Sequence, residues 1–391
     1  MADLRVGIDA RPLNAPRLRG MGKYLLGVLS RGLVSGGASW ILFGDRPDWP
    51  YFGPESDSLE VEIRGCRGWR FHAWEQWLLP RMARRWGVDV LHCTGNTLPF
   101  WQPVPTVVTI HDILPWKTLE QENVRPRHAG WYFDKLIPRA LKGVEAVITI
   151  SDQSRKDILS LWPHLESRLH VIRHGIGQPY LEASASPLPQ ELRAMQVRPP
   201  YFVYIGGTAI HKRLDWALRM IRSLHEQDHS PWQLVVCGVE KEAQAAARRT
   251  VSESVGARVV FLPFVAEAHM PSLLQNAIGV LYPTLYEGFG LPVLESQAVG
   301  TPVLFSDVGS LRELQGPGTE VLPPNDTHAW VATCRRLLEQ RAESPSPHEP
   351  ARQWARQFSW ERSAQQHLDV YRLAAAKVSQ SPAAVTEADH A

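Results

Sequence analysis

Two carboxylates eight residues apart, Glu287 and Glu295, enclose the run Gly-Phe-Gly-Leu-Pro-Val-Leu. The apolar stretch before them, residues 278–284, reads as a buried strand entering a tight turn. Pro292 suits the first turn of a helix, where a missing N–H costs nothing. Glu287 then lies in the loop ahead of that helix, and Glu295 projects from its second turn. The unpaired N–H groups of residues 289 to 292 point out of the helix end and favour an anion. Carboxylate, amides and carboxylate line up over roughly 12 Å, at about 1.5 Å of rise per residue. An elongated ligand with hydroxyls at both ends and phosphate between, as in a nucleotide sugar, fits that line. Read alone, either glutamate does no more than favour a helix dipole.

Other residues carry chemistry by type and place. Lys212 follows an apolar strand and a Gly206-Gly207 turn, so its ammonium faces the cleft or decorates a solvated turn with His211 and Arg213. His111 ends the apolar run Val107-Val-Thr-Ile, at the carboxyl end of a strand; Asp112 orients it or caps the next loop. Gly20 and Gly22 flank Met21 at the start of a long helix, where glycine lets backbone approach a phosphate closely. Leu25 occupies the third glycine position of G-x-G-x-x-G, which speaks against a nicotinamide dehydrogenase. Asp9 and Arg11, just before this loop, contact a ligand or serve the fold.

The elements that must position these residues alternate from end to end, which reads as α/β with parallel sheets. Strands are expected over residues 4–9, 40–43, 88–92, 106–111, 146–150 and 169–173, then 201–206, 233–237, 258–261, 278–282 and 302–305. Helices are expected over 22–33, 72–85, 131–141 and 151–161 (Ser151 as N-cap), then 214–226 and 359–376. Two doubly wound halves with a central cleft follow, since open parallel sheets bind ligands at the carboxyl ends of their strands. The divisions fall at 1–178, a connection at 179–200, a second half at 201–358, a helix at 359–378 and a disordered tail at 379–391.

Within 391 residues, 42 basic and 40 acidic side chains nearly cancel, so nothing argues for nucleic acid. Four widely spaced cysteines, without a C-x-x-C pair, speak against zinc and for reduced thiols in a cytoplasmic protein. The N-terminus lacks an apolar signal region, and no apolar run is long enough to span a bilayer. Residues 64–86 stand apart. Trp74, Trp77, Leu78, Arg81 and Met82 share one helical stripe, with Arg64, Arg67, Arg70, Arg84 and Arg85 around it. That surface either touches the inner face of an anionic membrane or packs on the first sheet with its arginines solvated. Pro80 interrupts it in both cases.

The Glu287–Glu295 segment resembles the E-x7-E signature of retaining glycosyltransferases, in particular glycosyltransferase family 4. Residues 298–324, Tyr204-Ile-Gly-Gly-Thr208 with His211-Lys212-Arg213, Gly20-Met-Gly-Lys-Tyr24, Thr109-Ile-His-Asp112 and Ile148-Thr-Ile-Ser151 are similar to further segments of that family. Together they cover nearly the whole chain to about residue 375. The resemblance implies the GT-B fold, two Rossmann-like domains facing a cleft, with a last helix crossing back onto the first. It implies acceptor binding by the first domain and nucleotide-sugar binding by the second. Glu295 would take the ribose hydroxyls and Glu287 the donor sugar. The amides of Phe289, Gly290 and Leu291 would meet sugar or β-phosphate, with Gly20, Gly22 and Gly207 near the phosphates. Lys212 would be the main cation, because His211 stands where the family usually has arginine. His111 would lie beside the donor sugar.

No cofactor and no metal are implied, the nucleoside diphosphate sugar being a co-substrate. The subgroup, marked by Trp74-Glu-Gln76 with Pro80 and by Ile110-His-Asp112, implies mannosyl or rhamnosyl transfer, with GDP-mannose favoured. The product would be a bacterial surface polysaccharide or glycolipid, and the acceptor a saccharide or lipid-linked saccharide. A nucleotide-sugar epimerase or glycan phosphorylase on the same fold, or a non-catalytic nucleotide-sugar-binding protein, are the alternatives.

Overall fold

The computed structural model describes residues 4–15, 18–35, 37–45, 59–63, 70–117, 130–184, 186–227, 232–249, 253–262, 264–343 and 348–379. In the first half, seven strands form one sheet: β1 (Leu4–Asp9), β2 (Ala38–Gly44), β3 (Leu59–Ile63), β4 (Val90–Cys93), β5 (Thr106–Thr109), β6 (Ala146–Thr149) and β7 (Leu169–Val171). Their spatial order is β3-β2-β1-β4-β5-β6-β7, and every pair is parallel. The second half holds β8 (Tyr201–Ile205), β9 (Gln233–Cys237), β10 (Val259–Leu262), β11 (Gly279–Tyr282), β12 (Val303–Ser306) and β13 (Thr319–Leu322). Their order is β10-β9-β8-β11-β12-β13, again all parallel. The α/β, doubly wound expectation holds.

Both orders reverse beside their first strand, at β1/β4 and at β8/β11. Loops leaving such neighbours diverge to opposite faces and open a crevice. Asp9 and Thr94 leave the first crevice; Lys212 and Glu287 leave the second.

Two strands are additions to the expected set. β3 and β13 are edge strands, with a single neighbour each and less continuous apolar runs than the central strands. Helices sit on both faces because central strands such as Val203–Tyr204 and Val280–Leu281 are buried on either side. The helix Trp360–Ser379 packs on the helix Gly20–Ser35, and Trp360, Leu368, Tyr371 and Ala374 join the core of the first sheet. Ser151 caps the helix Asp152–Leu161, its hydroxyl oxygen accepting from the Ser154 amide at 3.0 Å.

Between the halves the chain makes two short helices, Gln178–Leu181 and Gln190–Ala194. Leu188, Leu192 and Val197 are buried in the second core, so this connection is packed along part of its length. Of the tail, residues 380–391 lie outside the described residues.

The expected helix over 72–85 departs from regular geometry. It runs from Arg70 to Trp86 with a π-helical stretch at Trp74–Leu78. A second such stretch, Tyr132–Leu136, precedes Ile137–Ala140. Each is followed by a proline, Pro80 and Pro138. A proline removes one N–H and crowds the carbonyl four residues back, and a widened turn relieves both. The extra residue rotates what precedes it, which turns Glu75 and Tyr132 inward to meet each other.

Candidate active site

One part of the site grows from β11 and the turn after it. Thr284 and Leu285 bond to the carbonyl of His211, at 3.0 and 2.8 Å, which ties the turn to the loop after β8. Lys212 enters there, and its Nζ lies 2.5 Å from Glu287 Oε1 and 3.3 Å from the Tyr282 hydroxyl. The Tyr204 hydroxyl donates to the carbonyls of Gly207 and Lys212, both at 3.1 Å, so this loop is pinned from beneath. Arg213 turns away to Pro324 O and Asn325 Oδ1, at 2.6 and 2.7 Å.

The helix Leu291–Ala298 starts at Gly290, whose φ of 107° is a conformation that L side chains rarely adopt. Pro292 sits in its first turn. Among the described residues nothing accepts from the amides of Phe289, Gly290 or Leu291. Amides left without acceptors at a helix start are groups that favour an anion. Glu295, 6% exposed, follows one turn further on.

The other part comes from β1, β4 and β5. His111 leaves β5 nearly buried, and its Nε2 lies 3.0 Å from the Thr94 carbonyl. A carbonyl only accepts, so Nε2 carries the proton and Nδ1 keeps its lone pair. Burial lowers this imidazole to about 4, so it is neutral at pH 7. Asp112 does not orient it: Oδ1 accepts from the Leu114 amide at 2.9 Å, which caps the loop. Gly20 and Gly22 form the first turn of the helix Gly20–Ser35, two residues earlier than expected. Gly22 lines a cleft of about 750 Å³ with Arg11, Arg19, Met21 and, from the other half, Glu240.

Arg11, at the edge of that cleft, is held by two carboxylates. Its Nη2 bonds Asp9 Oδ2 and Glu75 Oε2 at 2.5 and 2.6 Å, over the Trp74 ring. Glu75 is fully buried and also accepts from Thr97 Oγ1 at 2.6 Å and from the Tyr132 hydroxyl. This pair needs its hydrogen bonds, because a buried ion lacking them would lose several kcal/mol of hydration.

The two halves meet directly at the site. A Cβ on Gly288 would fall 2.7 Å from the His111 carbonyl, so only glycine lets the signature loop approach β5 this closely. The Ser154 hydroxyl reaches both the His111 and Gly288 carbonyls, at 3.0 and 3.2 Å. Glu313 accepts from the Asp152 and Gln153 amides at the start of a helix on the opposite half, at 3.0 and 2.8 Å. Lys23 crosses the cleft to Glu295 Oε1 at 2.7 Å and to Glu267 at 3.0 Å. Burial alone would lower this ammonium's pKa, but the two carboxylates hold it above its ordinary value.

Known proteins match along this same frame. Residues 192–356 fit the family model described as glycosyl transferases group 1, and residues 20–177 fit that of glycosyltransferase family 4. The chain belongs to the family 4 type of GT-B glycosyltransferases. It is 28% identical over 271 residues to the O-antigen chain mannosyltransferase B of Escherichia coli, covering 68% of this chain and 70% of that one. A second relative, the MMP alpha-(1->4)-mannosyltransferase of Mycolicibacterium hassiacum, is 28% identical over 313 residues, 76% and 73% of the two chains. Among solved structures, Anabaena Alr3699/HepE in complex with UDP and glucose superposes with a TM-score of 0.70. That match covers 94% of this chain and 99% of the other, at 15% identity, and carries the fold.

In this glycosyltransferase the carboxyl ends of both sheets bring Glu287, Lys212, His111 and the helix amides to one crevice. His211 spends its backbone carbonyl on Thr284 and Leu285, which fixes the loop that carries Lys212. Among the described residues no group of three or more His, Cys, Asp or Glu side chains is gathered to hold a metal ion. Sequence reasoning passed over Lys23, Glu75, Glu267 and His174. Lys23 carried a signal, being a lysine in the first turn of a helix that opens on the cleft. His174 had none: it follows β7, lies against the Tyr24 and Phe289 rings, and among the described residues shows no partner for either ring nitrogen.

The stripe expected over residues 74–82 is split. Trp74 and Met82 are buried in the first core and Leu78 packs against it, whereas Trp77 and Arg81 face outward. The π-helical stretch breaks the regular spacing on which that stripe rested. Arg64 and Arg67 lie outside the described residues, while Arg84 and Arg85 are exposed. No helix among the described residues is long and apolar enough to cross a membrane.

Proposed function

We propose that this glycosyltransferase moves a hexose, mannose or rhamnose before others, from a nucleoside diphosphate sugar to a hydroxyl of a saccharide or lipid-linked saccharide. The transfer retains the anomeric configuration, needs no divalent metal, and serves a bacterial surface polysaccharide or glycolipid. The observation that carries this reading is Lys212 Nζ at 2.5 Å from Glu287, beside a helix mouth whose amides lack acceptors. A leaving diphosphate gains negative charge as its bond to the sugar breaks. A fixed ammonium and oriented amides stabilise that charge without reorganising. Glu287 is then placed for the donor sugar's hydroxyls and for the positive charge at its ring. Neutral His111 can accept a hydroxyl proton in a hydrogen bond at Nδ1, while the departing phosphate takes the proton of the acceptor. The relatives named as mannosyltransferases support the sugar. A nucleotide-release screen over GDP-, UDP- and dTDP-sugars tests it, with proton NMR of the first product. Release from GDP-mannose with the anomeric configuration preserved is expected; an inverted product refutes the retaining reading.

We also infer a peripheral contact with the cytoplasmic face of an anionic membrane. Trp77, Phe100, Trp101 and Trp131 are 63%, 57%, 42% and 67% exposed. Gln76 joins their segments, bonding Tyr132 and the Phe100 amide at 2.9 and 2.8 Å. Arg81 lies over both Trp77 and Trp101, at 5.4 and 5.7 Å from the ring centroids. Aromatic rings with arginine suit the headgroup region. Co-sedimentation with anionic vesicles should occur at low salt and fall on replacing Trp77, Trp101 and Arg81 with alanine. No binding at low salt sinks this inference.

A further inference from the structure

The helix Gly20–Ser35 belongs to the first half, yet the Lys23 ammonium is spent on carboxylates of the second. Its side chain is 26% exposed, so it is reachable from the cleft. Glu267 has a further donor in the Tyr180 hydroxyl, 2.9 Å away. Glu295 lies on the helix Leu291–Ala298, whose mouth carries the amides of residues 289–291, and four residues of rise separate Leu291 from Glu295 by about 6 Å. A nucleotide with its ribose on Glu295 and its β-phosphate on those amides must carry its diphosphate across that interval. The ammonium on Glu295 Oε1 lies beside that path, and a lysine can donate three hydrogen bonds.

The second half places its own cations elsewhere than at Glu295. Lys212 is engaged with Glu287, and Arg213 is turned to Pro324 and Asn325. We propose that Lys23 is a second cation for the donor diphosphate, supplied across the cleft by the acceptor-side half. It would bridge Glu295 and phosphate, so that donor binding and closure of the two halves reinforce each other. This rests on the proposed reading of Glu295 as the ribose carboxylate.

The test compares ligands with and without phosphate. GDP, UDP, ADP and dTDP are titrated calorimetrically into the full chain, and the matching nucleosides by ligand-observed NMR. Lys23→Met should weaken the diphosphate that wild type binds by about tenfold or more, as for loss of one charge-assisted contact. Its nucleoside should stay within about twofold, and Lys23→Arg should keep most of the diphosphate affinity. Equal losses for diphosphate and nucleoside would mean that Lys23 only orients Glu295, and would overturn the proposal. Tighter binding by Lys23→Met would mean that the lysine blocks the ribose site, and would overturn it too. Glu295→Gln reads the underlying assignment separately, since it should weaken nucleoside and diphosphate alike. If it changes neither, the nucleotide-site reading has failed, and the proposal with it.

Discussion

Acid should unfold this protein earlier than its carboxylates alone would dictate, because four histidines are buried as neutral rings around one hydroxyl network. His92, His111, His174 and His367 are 1%, 5%, 3% and 0% exposed. The Tyr24 hydroxyl lies 2.8 Å from Thr109 Oγ1 and 2.7 Å from His367 Nε2. His92 lies 2.8 Å from the same Thr109 oxygen and 2.7 Å from the Tyr371 hydroxyl. Burial lowers His111 and His367 to about 4, and pushes His92 and His174 well below the usual range, with neighbouring imidazoles adding to it.

The direction follows from linkage. Unfolded histidine takes its proton near pH 6.5, whereas folded His111 and His367 do not until about pH 4, and His92 and His174 are held well below the ordinary value. Between those values the unfolded chain binds more protons, so stability is full above pH 6.5 and lost as pH falls. From pH 7 to 5 each ring that stays neutral in the fold costs roughly 2 kcal/mol. The four add, because the native rings stay neutral and the unfolded ones titrate independently. Their sum, about 8 kcal/mol, is comparable with the whole stability of an ordinary domain, about 5–15 kcal/mol. Urea unfolding followed by tryptophan fluorescence from pH 7.5 to 5 measures it. A loss below about 2 kcal/mol over that range, or a native imidazole of this cluster titrating near its ordinary value by NMR, would refute the reasoning.

Two substitutions address the chemistry. Lys212→Ala should lower turnover by about 10²–10³, the usual loss for one preorganised charge donor, and EDTA should leave wild-type activity unchanged; activity abolished by EDTA and restored by magnesium contradicts the metal-free reading. Glu287→Ala should cut turnover while nucleoside diphosphate still binds, and Glu295→Ala should weaken the nucleotide itself. Calorimetry showing the same binding loss in both would undo their separate roles.

The alternation of apolar runs and helical patterns, read in sequence, was enough for two parallel α/β halves, since strand and helix periods are local properties of the chain. The spacing from Glu287 to Glu295 was legible for the same reason: Gly290 and Pro292 start the helix, and the second turn carries the carboxylate. Edge strands β3 and β13 escaped, because a strand with one neighbour need not be a continuous apolar run. Trp74 and Trp77 were put on one stripe by assuming 3.6 residues per turn, and the wide turn before Pro80 broke that count. Arg11 could be read either as a ligand contact or as part of the fold, and its bond to Glu75, 64 residues away, had no signal in the local sequence. Lys23 and Glu295 are 272 residues apart, and no local pattern relates them. Pairing between distant charges depends on how two folded halves close on each other, and only the tertiary structure decides that.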